Sequence, residues 1–140
     1  GLDALSSVDH LEITNNDNIN TLEGISSLTN IDKHLRIYRN SMLINIDGLS
    51  GITTVPDYVS IYENITLTDL TGLSNLSTIG GTLTIFRNRD LPNLTGLNKL
   101  TTIGDKLTIY VNDELTSMSA LGSVTSIGGD IHIEDNPNKY

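Results

Sequence analysis

The stretch LTIFRNRDLPNLTGLNKLTTIG, residues 83–104, contains the pattern on which the fold depends. Apolar residues occupy its first and third positions, asparagine its sixth, and further apolar residues every third position from the ninth to the twenty-first. Its opening LTIF returns as LTIY at residues 107–110, which is 24 residues further along the chain. The stretch is therefore one unit of a repeat.

Rows of 24 residues align without insertion from residue 11 onward, and the segment before residue 11 matches the tail of an earlier row with one residue missing. Each row begins with an apolar residue, any residue and isoleucine, and carries asparagine at its sixth position. The fourteenth position is glycine, or alanine in one row. The six rows begin at Leu11, Leu35, Val59, Leu83, Leu107 and Ile131.

A fixed period of this length predicts a solenoid, because one row cannot bury its apolar side alone and neighbouring rows must stack. The apolar first and third positions indicate a short strand with one buried face, so stacked rows form a parallel sheet along one wall. The later spacing of three residues favours tight turns, 3₁₀ segments or very short strands. We predict an all-β solenoid of about six 24-residue coils with little α-helix, as one domain over residues 1–140.

The repeated asparagines and glycines have structural roles in this interpretation. An amide side chain at the end of a strand can satisfy buried backbone groups and stack on its equivalents in neighbouring rows. Because alanine replaces glycine once, the fourteenth position requires small size more than a positive φ. The asparagine column comprises Asn16, Asn40, Asn64, Asn88, Asn112 and Asn136.

Composition limits the classes of partner. The net charge of -9 argues against nucleic acid, and equally against acidic sugar polymers and anionic membranes, because these are bound by basic surfaces. The chain has no cysteine, which excludes disulfides and thiolate metal sites, and it has no apolar run long enough for direct membrane insertion. We interpret the sequence, which starts without methionine, as a fragment lacking its caps, with a neighbouring capping domain or end-to-end self-association covering the ends.

The outward positions of the strands hold the candidate binding residues. The fourth position is aromatic in four consecutive rows, although the chain has only six aromatic residues, and all four arginines lie in the same part of the repeat. Aromatic residues and arginine dominate binding surfaces. An alternative is that the aromatic residues only shield the sheet by stacking across strands. The predicted ligand-binding residues are Arg36, Tyr38, Arg39, Tyr62, Phe86, Arg87 and Tyr110.

The consensus L-x-I-x-x-N-x-x-L-x-x-L-x-G-L-x-x-L-x-x-I-G resembles the receptor L domain, a relative of leucine-rich repeats. That domain occurs in the extracellular parts of insulin and epidermal growth factor receptors and in surface proteins of fungi and microbes. The resemblance covers essentially the whole chain and implies a right-handed β-helix that binds a protein ligand through its sheet face or edge. The receptor modules carry disulfides and capping helices that this sequence lacks, so their ligands do not transfer.

Other functional patterns are weaker. His10 and His34 both precede a strand and could stack, with Asp9, Glu12 or Asp32 as a further metal ligand, but exposed turn histidines are the simpler interpretation. A column of threonine or serine at the nineteenth position suggests ice binding as a remote alternative. Ice binding needs alternating outward threonines, whereas these stand next to each other, so hydroxyls that satisfy turn backbone explain them better. The column comprises Thr29, Thr53, Ser77, Thr101 and Thr125.

Three glycosylation sequons occur, at Asn64, Asn75 and Asn93. Asn64 belongs to the asparagine column and is predicted to be inaccessible, whereas Asn75 and Asn93 lie in predicted turns and are possible glycosylation sites. No catalytic pair, phosphate loop or nucleophile motif is present, so no enzyme activity and no cofactor are predicted.

The sequence therefore predicts a non-enzymatic recognition module, extracellular or at the cell surface, whose partner is a protein or a glycan. The alternative is a structural cell-wall or adhesin stalk without a specific ligand.

Overall fold

The computed structural model describes residues 1–137, so the last three residues of the predicted 1–140 domain lie outside the described part. Within residues 1–137, twelve strands and four 3₁₀ segments are present and no α-helix. The strands are β1 (Ser7–Val8), β2 (Leu11–Thr14), β3 (Asn30–Ile31), β4 (Leu35–Tyr38), β5 (Thr54–Val55), β6 (Val59–Tyr62), β7 (Thr78–Ile79), β8 (Leu83–Phe86), β9 (Thr102–Ile103), β10 (Leu107–Tyr110), β11 (Ser126–Ile127) and β12 (Ile131–Glu134). The 3₁₀ segments are η1 (Glu23–Ile25), η2 (Asp47–Leu49), η3 (Thr71–Leu73) and η4 (Ser119–Ser123).

The four-residue strands form one six-stranded parallel sheet in the order β2-β4-β6-β8-β10-β12. Each residue pairs with its equivalent in the next row, as Tyr38 does with Tyr62 and Leu83 with Leu107. The two-residue strands form a four-stranded sheet, β5-β7-β9-β11, and a separate pair, β1-β3. The predicted all-β architecture of parallel sheets with little helix is confirmed, and it is compatible with a parallel solenoid.

Alternation places the apolar core on the inner face of the large sheet. In β4, β6, β8 and β10 the first and third residues are buried and the second and fourth are half-buried. The apolar residues at every third later position complete the core in the middle rows, where Leu91, Leu94, Leu97, Leu100 and Ile103 are all buried. The predicted inward and outward faces are thus confirmed.

The asparagine column forms a hydrogen-bonded ladder next to the core. The Asn64 Nδ2 donates to the carbonyl oxygen of Ile37 at 3.0 Å and to Asn88 Oδ1 at 3.3 Å, and Asn88 Oδ1 also accepts from the Asn64 backbone N–H at 3.2 Å. Asn40, Asn64, Asn88 and Asn112 are fully buried. Unpaired buried backbone groups are costly, so the ladder is structural, as the sequence predicts.

The small fourteenth residues allow the 3₁₀ segments of neighbouring rows to approach closely. A Cβ atom added to Gly72 would lie 1.9 Å from the carbonyl oxygen of Ile46, and one added to Gly48 would lie 1.8 Å from that of Leu22. Of these glycines only Gly96 has a positive φ, 117°. Small size is therefore the main requirement, as predicted.

Candidate functional site

Four stacked aromatic rings run across the outer face of the large sheet. The ring centroids of Tyr38 and Tyr62 are 4.6 Å apart, those of Tyr62 and Phe86 are 6.3 Å apart, and those of Phe86 and Tyr110 are 4.1 Å apart. The four rings lie on the consecutive strands β4, β6, β8 and β10 because the fourth residues of these strands are paired in register. We call these four residues, together with Arg36, the aromatic wall.

Stacking determines which part of each ring solvent can reach. The interplanar angles are 8° between Tyr38 and Tyr62 and 12° between Phe86 and Tyr110. Neighbouring rings therefore cover much of each other's faces, and the ring edges and hydroxyl groups are the parts available to a ligand. The wider spacing and the 26° angle between Tyr62 and Phe86 make the centre of the aromatic wall the least tightly stacked point.

Among residues 1–137, Arg36 is the one arginine that a hydrogen bond fixes to the aromatic rings. Its Nη2 donates to the Tyr62 hydroxyl at 2.9 Å, and its Cζ lies 4.8 Å from the centroid of the Tyr38 ring. The hydrogen bond to Tyr62 raises the pKa of Arg36. Its Nη1 is also 3.7 Å from Glu12 Oε1. Arg36 therefore orients Tyr62 and adds a positive charge to the wall.

Arg39 and Arg87 share one carboxylate, that of Glu63. The Arg39 Nε donates to Glu63 Oε2 at 2.6 Å, and the Arg87 Nη1 donates to Glu63 Oε1 at 3.4 Å. The hydrogen bond from Arg39, with the help of Arg87, holds the pKa of Glu63 below its usual range. A depressed folded-state pKa stabilises the fold above the ordinary glutamate pKa, and this contribution is lost as the pH falls through the folded value.

An open groove of about 640 Å³ runs beside the aromatic wall, where the chain leaves the large sheet. Its lining consists of the fifth and seventh residues of five rows, which lie on either side of the asparagine ladder. We call it the strand-end groove. The lining residues are Asn15, Asp17, Arg39, Ser41, Glu63, Ile65, Arg87, Arg89, Val111 and Asp113.

All seven predicted ligand-binding residues lie on the same side of the molecule, but they divide into two groups. Arg36 and the four aromatic residues form the aromatic wall, whereas Arg39 and Arg87 line the strand-end groove. Arg87 also contacts the wall, because its Cζ lies 4.8 Å from the centroid of the Phe86 ring. Glu63, which neutralises part of the arginine charge, was not among the predicted residues. The fifth position reads Arg, Glu and Arg in the rows beginning at Leu35, Val59 and Leu83, and this alternation could have revealed the ion pairs.

The two histidines before β2 and β4 stack at a centroid distance of 5.0 Å, as the sequence predicts for His10 and His34. The stack continues to Tyr58, whose ring centroid is 4.6 Å from that of His34. Tyr58 was not predicted to join the stack, although it holds the same row position as the two histidines. His34 Nε2 lies 3.1 Å from Glu12 Oε1. Among residues 1–137, no group of three or more histidine, cysteine, aspartate or glutamate side chains is arranged to hold a metal ion.

The remaining sequence candidates occupy the sites expected from their row positions. Asn64 is fully buried, as predicted, whereas Asn75 is exposed and Asn93 is half-buried. The nineteenth-position hydroxyls mostly donate to backbone carbonyls, as Thr101 Oγ1 does to Ser77 at 3.1 Å, which confirms their role in turns.

No helix in the described range 1–137 has the length and hydropathy needed to cross a bilayer. Comparison with protein-family models, curated proteins and solved structures finds no match to this chain.

Proposed function

We propose that this chain is a non-catalytic recognition module, extracellular or at the cell surface, that binds a protein or glycan ligand through its outer sheet face. The observation that carries the proposal is the stack of Tyr38, Tyr62, Phe86 and Tyr110 on four consecutive strands of one face. Aromatic side chains supply large contact area at low entropic cost, and adjacent guanidinium groups supply directed hydrogen bonds.

The finer architecture that we propose is a right-handed, leucine-rich-repeat-like β-helix with 24-residue coils, similar to the receptor L domain. Two observations support this assignment. The strands of the large sheet are parallel, and paired residues in neighbouring strands are 24 positions apart, as Leu35 and Val59 are. The family is known for recognition rather than catalysis, and this resemblance supports the non-enzymatic part of the proposal.

The alternative function is a structural cell-wall or adhesin stalk without a specific ligand. It is favoured by the stacking itself, since rings that cover one another shield the sheet, and by the Arg39–Glu63 pair, which satisfies both charges internally. In that case the aromatic wall contributes only to stability.

Replacing Tyr62 and Phe86 together with serine distinguishes these functions. If the aromatic wall binds the ligand, the folded double variant should lose binding to cells or extracellular matrix. The matched control is Tyr58→Ser, which removes an aromatic ring that stacks on His34 outside the wall. Undiminished binding by a folded double variant would contradict the recognition proposal. A large loss of stability with unchanged binding would support the stalk.

A further inference from the structure

The middle of the strand-end groove carries a local positive charge, although its whole lining is neutral because Asp17 and Asp113 lie in the two end rows. Across the three rows beginning at Leu35, Val59 and Leu83, its lining includes three arginines and one glutamate, a formal charge of 3 − 1 = +2. The whole chain has a net charge of -9. The three guanidinium groups lie in the rows beginning at Leu35 and Leu83, and this local concentration favours an anionic ligand at the middle of the groove.

The guanidinium groups of the groove retain free donors. Arg39 is bound only through its Nε, so within residues 1–137 its Nη1 and Nη2 donate to no acceptor. In the described part of the chain, Arg89 is held only by an ion pair of 3.6 Å from its Nε to Asp113 Oδ2, and its side chain is 70% exposed. Each arginine carries five N–H donors in a planar fork that matches a carboxylate. Arg39 and Arg89 can therefore donate hydrogen bonds to a ligand carboxylate without breaking a short internal hydrogen bond.

Among the described residues, those that line the groove also have backbone amides without a partner. The N–H groups of its seventh-position residues make no hydrogen bond within the described range 1–137. Backbone donors need a partner, and at an open surface that partner is water or a ligand. These residues recur once per row, at the strand spacing of about 4.8 Å. They are Asp17, Ser41, Ile65, Arg89 and Asp113.

The spacing of these groups fits an extended peptide. Arg39 lies two rows from Arg87 and Arg89, which corresponds to roughly 10 Å at the usual strand separation. Residues i and i+3 of a polyproline II helix lie on the same side about 9 Å apart. Ile65, 43% exposed, stands between the two arginine rows and offers apolar contact to the residues between the carboxylates. A glycan is less suited, because the neighbouring ring faces that a sugar would stack on are covered by other rings.

We propose that the strand-end groove binds an extended acidic peptide segment of a partner protein, with two carboxylates three residues apart. One carboxylate pairs with Arg39 and the other with Arg87 and Arg89, while peptide carbonyl groups accept from the seventh-position amides. This deepens the proposed recognition function by naming the ligand class of one part of its surface, and it rests on that function. It places Arg89 and Ile65, neither of which belongs to the aromatic wall, in the binding surface.

The test uses the peptide acetyl-EPPEPP-amide, with acetyl-QPPQPP-amide as the uncharged comparison, in isothermal titration of the whole chain at low salt. The acidic peptide should bind and the glutamine peptide should bind at least about fivefold more weakly, because each exposed charged pair contributes a few-fold in affinity. Binding should weaken further in 0.5 M NaCl, where screening is strong. Absence of saturable binding of the acidic peptide at low salt would overturn the proposal.

Two variants locate the site. Arg89→Gln should weaken binding of the acidic peptide about fivefold, since it removes one donor fork from the groove. Lys106→Gln is the matched control, because it changes the net charge equally but lies before β10, at the opposite end of the strand from the groove. Equal weakening by both variants would show a general charge effect and overturn the assignment to the groove.

The outcome is separable from that of the proposed function. A Tyr38 and Tyr62 double serine variant should keep peptide binding, because neither residue lines the groove, whereas Phe86 packs against the groove residue Arg87. Peptide binding that survives in this variant supports the groove even if matrix binding does not depend on the wall. Conversely, if the acidic peptide does not bind, matrix binding through the aromatic wall would still support the proposed recognition function. Tighter binding of an oligogalacturonate than of the acidic peptide would assign the groove to acidic glycans and overturn the peptide proposal.

Discussion

The fifth residue of every row adopts the left-handed backbone conformation, although none of these residues is glycine. The φ angles lie between 48° and 56° at Asn15, Arg39, Glu63, Arg87, Val111 and Asp135. This conformation turns the chain from the sheet toward the buried asparagine that follows. For residues other than glycine, asparagine and aspartate it costs about 1–2 kcal/mol. The ladder and the core therefore hold several positions in an unfavourable conformation.

Val111 is the position at which this strain should be the largest, because a β-branched side chain tolerates a positive φ poorly. Val111→Asn should raise the free energy of unfolding by about 1 kcal/mol, since asparagine visits this conformation readily. Asn15 already occupies the equivalent position in the row that begins at Leu11. Urea denaturation of the two proteins measures the difference, provided the slope of the transition is unchanged.

Thr108→Asn supplies the comparison for this prediction. Thr108 lies in β10, three residues before Val111, within a paired strand where asparagine is unfavourable. The Thr108→Asn substitution should therefore lower the free energy of unfolding or leave it unchanged. If the Val111→Asn protein is no more stable than the original, the left-handed conformation at Val111 does not destabilise the fold, and the prediction is wrong.

At the scale of elements, the 3₁₀ segments depend on close backbone contact from row to row. Gly72→Ala should lower the free energy of unfolding by about 2–3 kcal/mol, because the new Cβ would meet the carbonyl oxygen of Ile46 at 1.9 Å and the backbone must move. Gly122→Ala is the control, since no atom lies within 4 Å of its added Cβ. It should change stability by less than about 0.5 kcal/mol. Thermal unfolding of both variants gives the comparison.

The row beginning at Leu107 has alanine, Ala120, at the fourteenth position, which Gly72 occupies in the row beginning at Val59. Ala120 is buried, and its segment η4 has five residues, whereas η1, η2 and η3 have three each. The residue after η4, Val124, is extended, whereas Ser74 after η3 is helical. A Gly72→Ala variant of unchanged stability would mean that an inner row can make the same adjustment at no cost.

The elements also show which features the sequence could predict. Strand register follows from the uninterrupted period, because a shift of one residue would expose Leu83 and Ile85 and bury Thr84 and Phe86. The burial of Asn88 follows from the same periodicity. These features are repeated in every row, so a single sequence contains several independent indications of each.

Features that differ between rows were harder to predict. The left-handed fifth residue was missed because the position lacks glycine, the usual sign of a positive φ. The division of the arginines between wall and groove was missed because it depends on long side chains pairing with Glu63 and Asp113. Such pairing is set by side-chain conformation rather than by the period, so the candidate site was located on the correct face but not resolved into its two parts.

At the scale of the whole molecule, burial depends on having a neighbouring row on both sides. Ile85 and Ile133 occupy the same row position, but Ile85 is fully buried between two strands whereas Ile133 in β12 is 43% exposed. Stability in such an architecture is the sum of contributions from rows and from the interfaces between adjacent rows. The inner rows should therefore unfold only together with the whole structure, whereas β12 should also unfold locally.

A matched pair of substitutions measures this gradient. Ile85→Ala should cost about 3–4 kcal/mol of unfolding free energy, because it leaves a cavity in a closely packed core, whereas Ile133→Ala should cost less than about 1.5 kcal/mol. Native-state hydrogen exchange should agree, with amides of β6 and β8 protected to the global unfolding free energy and those of β12 exchanging by local opening. Equal costs for the two substitutions, with uniform protection across β8 and β12, would contradict row-by-row stability and indicate that the end row is as firmly held as the middle.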